Sequence, residues 1–223
     1  MASINGISVK NVEKFLGHEG EPLYQGNLYL NGKKIGFWSQ DSHGGPDNFM
    51  LDGGWKQEKA LDDAVKAMNP EKAIHGERGD GENYVIGYGL EFLMTDILDL
   101  MNDEKLFKKA VKAGYAGILV ATDGYHETVW QLPATYTALS DEALMAKMDS
   151  ALNKAKESFF PEDKFTEHKV KVYRSLDDFV VGEPIDLSGK SVDKLLSDAS
   201  DKVREQGKSG GMDSAGKVDL DLS

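Results

Sequence analysis

No cysteine occurs among the 223 residues, which removes disulfides, thiolate metal sites and cysteine nucleophiles together. Basic charge is also scarce: 26 Lys and Arg stand against 38 Asp and Glu, for a formal charge of −12. That balance argues against generic binding to nucleic-acid backbones or anionic membranes. No apolar run approaches the length needed to cross a bilayer. Met1–Gly6 has no basic segment leading into an apolar stretch, as a secretory signal would. These absences lead us to expect a cytoplasmic protein that binds neither nucleic acid nor membrane. There is no internal repeat and no Gly-x-Ser-x-Gly nucleophile elbow. Ser188-Gly-Lys-Ser191 spells the end of a phosphate-binding loop, but the upstream glycine position holds Pro184. No cofactor is expected.

Hydrophobic residues at 40% and aromatics at 9% suffice for a packed core. We expect a single domain over residues 1–186, an amphipathic helix over 187–206 and a disordered acidic tail over 207–223. The strongest local signal is Asn31-Gly32, between two runs that alternate apolar and polar residues, since this dipeptide accepts the two positive φ values of a type I′ hairpin turn. An unbroken two-residue turn would set Leu28 opposite Ile35 and Gly26 opposite Phe37. Trp38 would then share a face with Tyr29.

A first strand around Ile7 and Val9 is expected beside the hairpin, and Phe49–Leu51 beyond it. Leu61, Ala64, Val65 and Met68 have helical spacing, ending at Asn69-Pro70. Residues 71–82 show no periodicity and read as an exposed loop. Leu90, Leu93, Ile97, Leu98 and Met101 form one helical face, and Asn102 or Asp103 is expected to cap a second helix ending at Gly114. Tyr115–Ala121 and His126–Leu132 read as strands joined by Asp123-Gly124, with Ile118 opposite Val129. A helix capped by Ser140 and running to about Phe160 follows, then a strand ending at Tyr173. Val192, Leu195, Leu196, Ala199 and Val203 make the stripe of the last helix. Hairpins and helices in this order predict an α+β fold with small antiparallel sheets and about four helices.

Three groups carry candidate chemistry. In the post-hairpin loop Trp38, Asp41, His43, Gly44, Gly45 and Asp47 combine oxygen and nitrogen ligands with a tightly turning backbone, and His18 in the preceding turn would complete a metal site with Asp41, His43 and Asp47. The same residues also make a self-bonded surface turn. His126, beside Asp123 and Glu127, has the makings of a general base with an orienting carboxylate, though no activated nucleophile accompanies it. Residues 41–104 hold 15 Asp and Glu against 5 Lys and Arg. Within them Asp62, Asp63, Asp96, Asp99 and Asp103 recur at helical spacing, an acidic face that would imitate nucleic-acid phosphates to a basic partner.

The stretch from Gly26 to Asp47, with its Asn-Gly turn, paired lysines and Asp-Ser-His-Gly-Gly loop, resembles the N-terminal signature of a group of small bacterial and phage or prophage proteins. The resemblance implies a mobile-element accessory setting, in which small acidic proteins bind a host or competing factor. It transfers no catalytic residue. The leading expectation is therefore a non-enzymatic interaction protein, acting as an inhibitor of a host or defence factor through its acidic face. The alternative is a small-ligand or metal-binding module built on the Asp41–Asn48 loop, with a hydrolase as its enzymatic form.

Overall fold

The computed structural model describes residues 1–79, 81–122, 127–148, 150 and 169–187. The expected Asp123-Gly124 turn, His126, the Ser188–Ser191 motif, the helix over 191–206 and the tail lie outside them. Within the described residues the fold is α+β. Contacts divide the chain into two compact units, Met1–Phe49 with Leu93–Pro184, and Met50–Phe92 with Ile185–Ser223.

The first unit begins as an antiparallel meander. Strands β1 (Ser3–Ile4) and β2 (Ile7–Leu16) are joined by Asn5-Gly6, and β3 (Pro22–Leu30) and β4 (Lys33–Ser39) by Asn31-Gly32. Both dipeptides have two positive φ values, 51° and 78° in the first and 50° and 79° in the second, as a type I′ turn requires. The first turn was not expected, although it is the same dipeptide. With β5 (Asn48–Leu51) and β11 (Val180–Val181) the sheet has six strands in the order β11-β1-β2-β3-β4-β5.

The expected pairing survives only next to the turn, where Leu30 faces Lys33 and Tyr29 faces Lys34. A β-bulge then makes Ile35 an extra residue, so that Leu28 faces Gly36 and Gly26 faces Trp38. The slip of one residue carries Trp38 to the buried side, where it is 0% exposed, and leaves Phe37 half-buried. Gly26, opposite Trp38, has no room for a side chain: a Cβ there would lie 2.6 Å from Val9 Cγ1 and 3.1 Å from the Lys10 carbonyl.

The second unit holds α1 (Gly54–Met68) and a small hairpin of β6 (Ile74–Glu77) and β7 (Asn83–Ile86). Leu61, Ala64 and Val65 are the buried stripe of α1, as the periodicity required. The hairpin corrects the reading of 71–82 as loop. Glycines and charges at 76–82 hide the short strand on either side of the turn, whose backbone pairing runs from Ile74–Ile86 to Glu77–Asn83.

Helix α2 (Leu90–Lys112) is continuous for 23 residues, where a break and a cap at Asn102 or Asp103 had been expected. It contains no Gly or Pro, and Asp103 turns inward instead of capping. The helix ends as expected at Gly114 (φ 91°). There the Tyr115 amide donates to the Ala110 carbonyl at 3.1 Å and the Gly114 amide to Val111 at 3.0 Å, a Schellman ending. Beyond it β8 (Gly117–Thr122), β9 (Glu127–Leu132) and β10 (Lys169–Tyr173) form an antiparallel sheet in the order β10-β8-β9. Thr122 faces Glu127 and Ile118 faces Gln131, two residues away from the expected register. Because the displacement is even, every side chain keeps its expected face.

One face of this sheet, with Leu119, Ala121 and Leu132, packs on Leu144 and Met148. Those two come from a helix over residues 141–148, whose first turn is capped by Ser140 Oγ accepting from the Ala143 amide. A short helix, α3 (Ala134–Thr137), leads into it, and the 141–148 helix is α4. Arg174 secures this corner by donating from Nε to the Thr137 carbonyl and from Nη2 to the Leu139 carbonyl and Asp141 Oδ1. The opposite face, with Ile118 and Val120, carries Tyr173. A 3₁₀ turn at Leu176–Phe179, opened by a Ser175/Asp178 capping box, then delivers β11 parallel to β1.

Replacing Trp38 with alanine empties the best-buried aromatic position of the first sheet. We expect a loss of about 3–5 kcal/mol in chemical denaturation, against under about 0.5 kcal/mol for the exposed Lys33→Ala.

Candidate functional site

The post-hairpin loop is closed on itself. Asp41 Oδ1 accepts from the His43 amide at 2.7 Å and the Gly45 amide at 3.1 Å, and Gly44 takes φ 76°. Those two amides, helped by the nearby His43 ring, hold the Asp41 carboxyl below its ordinary range. Asp47 is turned elsewhere: its Oδ2 accepts the indole Nε1–H of Trp38 at 2.7 Å, so this carboxylate satisfies a buried donor. Trp38, expected beside a ligand, is core.

His18 and His43 do come together. The His18 amide donates to the Ser42 carbonyl at 2.9 Å, tying the turn after β2 to the loop. The two imidazoles stack at 5.5 Å between centroids with planes 21° apart, and Ser42 Oγ lies 3.1 Å from His43 Nδ1. The four expected ligands thus divide into a histidine pair, a turn-forming Asp41 and an indole-bound Asp47. Among the described residues no group of three or more His, Asp or Glu is placed to hold a metal ion.

The five acidic-face residues separate in the same way. In α1, Asp63 pairs with Lys59 at 2.6 Å and Asp62 with Lys66 at 2.5 Å. Asp62 Oδ1 also accepts the Leu90 amide at 2.9 Å, so a carboxylate sits at the positive N-terminus of α2. Asp103 is 1% exposed, and its Oδ2 accepts the Tyr173 hydroxyl at 2.7 Å with Lys171 Nζ at 3.8 Å. Only Asp96 and Asp99 of the α2 series reach solvent. The sequence pattern located these carboxylates, but it did not reveal that strand residues more than sixty positions away would cover one of them.

Around Asp103 the strands gather residues that sequence reasoning passed over. Burial, and then the hydrogen bond to Asp103, raise the Tyr173 hydroxyl and keep it a donor. Asp99 is pushed up by burial, with Asp96 and Asp103 adding repulsion against Lys171. Glu127 is pushed up by burial and by Asp103 and Asp99. The neighbouring Glu104 behaves oppositely. Burial opposes its charge, but Lys108 at 2.8 Å, the N-terminal ammonium at 3.0 Å and the Ala2 amide at 3.1 Å outweigh it and lower its pKa.

The second unit exposes apolar surface instead of polar chemistry. All four residues of β7 are exposed, and Ile74, Tyr84 and Ile86 share one face of the hairpin, with the Tyr84 ring over Gly76. Val85 is 61% exposed on the other face and Trp55, in the first turn of α1, 70%. Comparison with known proteins adds no relative: no protein family, curated protein or solved structure matches the chain.

Tyr173→Phe removes a hydroxyl donor to the buried Asp103 carboxylate, and denaturation should show a loss of about 1–3 kcal/mol with little change in fold. Asp99 and Glu127 have the opposite sign. Their folded pKa values lie above the unfolded ones, so the folded protein binds the extra protons and stability rises as pH falls through the raised values. Asp99→Asn and Glu127→Gln should each raise the melting temperature at pH 7 by the equivalent of less than about 1 kcal/mol, these groups being solvent-screened. The gain should vanish as the pH falls to the ordinary carboxylate range, in melts followed over a pH series.

Proposed function

We propose that this chain is a non-enzymatic binding protein whose contact surface lies in the second unit, where apolar side chains are bordered by carboxylates. The observation that carries this reading is the β6–β7 hairpin. A lone two-stranded sheet is marginal in water, yet here it presents Ile74, Tyr84, Val85 and Ile86 to solvent. In the same stretch exposed Glu71, Glu77 and Glu82 outnumber exposed Lys72 and Arg78, the latter 3.7 Å from Glu82, which favours a partner with a basic rim around an apolar patch. A host or competing factor bound by a mobile-element accessory protein is the setting that the N-terminal resemblance suggests. The acidic-face mechanism narrows accordingly: Asp62 and Asp63 are paired with lysines, and Asp103 offers no surface charge.

The stacked His18–His43 pair favours a second reading, a ligand site on the Asp41–Asn48 loop. The two readings separate in one experiment. Tagged protein is used to capture partners from lysate at two salt concentrations, alongside Val85→Glu/Ile86→Glu and His43→Ala, with metal content measured on each preparation. A stoichiometric partner kept by His43→Ala and lost by the hairpin variant is the expected result. A partner kept by the hairpin variant, or bound metal that His43→Ala removes, would turn the assignment to the loop.

A further inference from the structure

The sequence from Lys105 to Thr122 holds four lysines and no acid, in a chain where acids outnumber bases by twelve. On α2 these lysines form one strip, 105, 108, 109 and 112, all exposed. Beside the strip is a groove of about 390 Å³, lined by Phe107, Val111, Tyr115 and Leu176 with Lys108 and Arg174 at its edges. Its apolar lining is open: Val111 is 47%, Tyr115 39% and Leu176 49% exposed.

The walls are preorganised. The Schellman ending at Gly114 fixes Tyr115 against the end of the helix, and the capping box at Ser175 fixes Leu176. Arg174 is held by its bonds to Thr137, Leu139 and Asp141. Lys108 is drawn towards Glu104, but Lys105, Lys109 and Lys112 have no ion-pair partner among the described residues. An apolar groove with the exposed Lys112 one helical turn beyond its lining Lys108 is complementary to a ligand that carries aliphatic side chains and negative charge together. The volume accommodates one or two such side chains, too little for a folded domain to insert.

We propose that this groove binds a short acidic peptide segment of a partner protein, with leucine-type side chains on Phe107, Val111, Tyr115 and Leu176 and a carboxylate on the exposed Lys112. This is a second contact surface, separate in sequence from the 74–86 hairpin and opposite in charge. A protein with both would bridge a basic partner and an acidic one.

The test is titration of the full chain with an end-capped, fluorescent Asp-Leu-Asp-Leu-Asp peptide, followed by anisotropy and by amide chemical shifts. Binding should saturate below about 1 mM, weaken with salt, and move the amides of Val111, Tyr115 and Leu176. The Asn-Leu-Asn-Leu-Asn peptide should bind about tenfold more weakly, as should the acidic peptide to Lys112→Glu, an exposed substitution whose melting temperature reports an intact fold. Val111→Asp, also exposed, should abolish binding. No saturation, equal binding of the neutral peptide, or shifts confined to residues 74–86 would overturn the proposal. So would a dimer in light scattering that Val111→Asp dissociates, since the groove would then belong to a second copy.

Discussion

Two adjacent carboxylates on one helix, Asp103 and Glu104, are both buried, and the first residues of the chain and β10 reach in to answer them. Ionised groups withdrawn from water cost several kcal/mol each unless they are matched. Glu104 is matched by the chain's first ammonium, the Ala2 amide and Lys108. Asp103 is matched by the Tyr173 hydroxyl, with Lys171 close by. The helix is thereby fastened to the N-terminus on one side and to β10 on the other, segments about 170 residues apart in sequence. Tyr173 stacks on Phe179 at 4.4 Å, and Phe179 packs against Phe107, so the polar anchor continues into an apolar one. From Phe179 the chain enters β11, whose Val181 carbonyl accepts the Asn5 amide beside β1.

The same economy shapes the surface. Three of the five carboxylates that a sequence pattern assigns to a recognition face are engaged within the protein: Asp103 on Tyr173, Asp63 on a lysine one turn away, and Asp62 on another lysine and the N-terminus of α2. The surfaces proposed for recognition are apolar instead: the hairpin of the second unit, and the groove beside the lysine strip in the first. A chain with net charge −12 that keeps four exposed lysines in one row, three of them without an ion-pair partner among the described residues, has its charges sorted by location.

The fold was legible where local chemistry decides structure. Asn31-Gly32 marked a turn because few dipeptides accept two positive φ values. Leu61, Ala64 and Val65 marked the face of α1 because helical spacing survives any later packing. Asn5-Gly6 carried the same signal and was available to be read. The register beyond the first turn was not, since a bulge at Ile35 is selected by what the sheet must bury, here Trp38. The candidate site was half legible. His18 and His43 meet as spacing on neighbouring turns suggested, but Asp47 was claimed by an indole and Asp41 by its own backbone.

The sequence by itself determined the α+β class, the Asn31-Gly32 turn, the buried face of α1 and the exclusion of disulfide and thiolate chemistry, because composition and short-range periodicity act within one element. Only the tertiary structure decided which carboxylates are charged surface and which are anchors. Burial depends on residues such as Tyr173, which reach Asp103 from 70 positions away, and no local pattern records that distance.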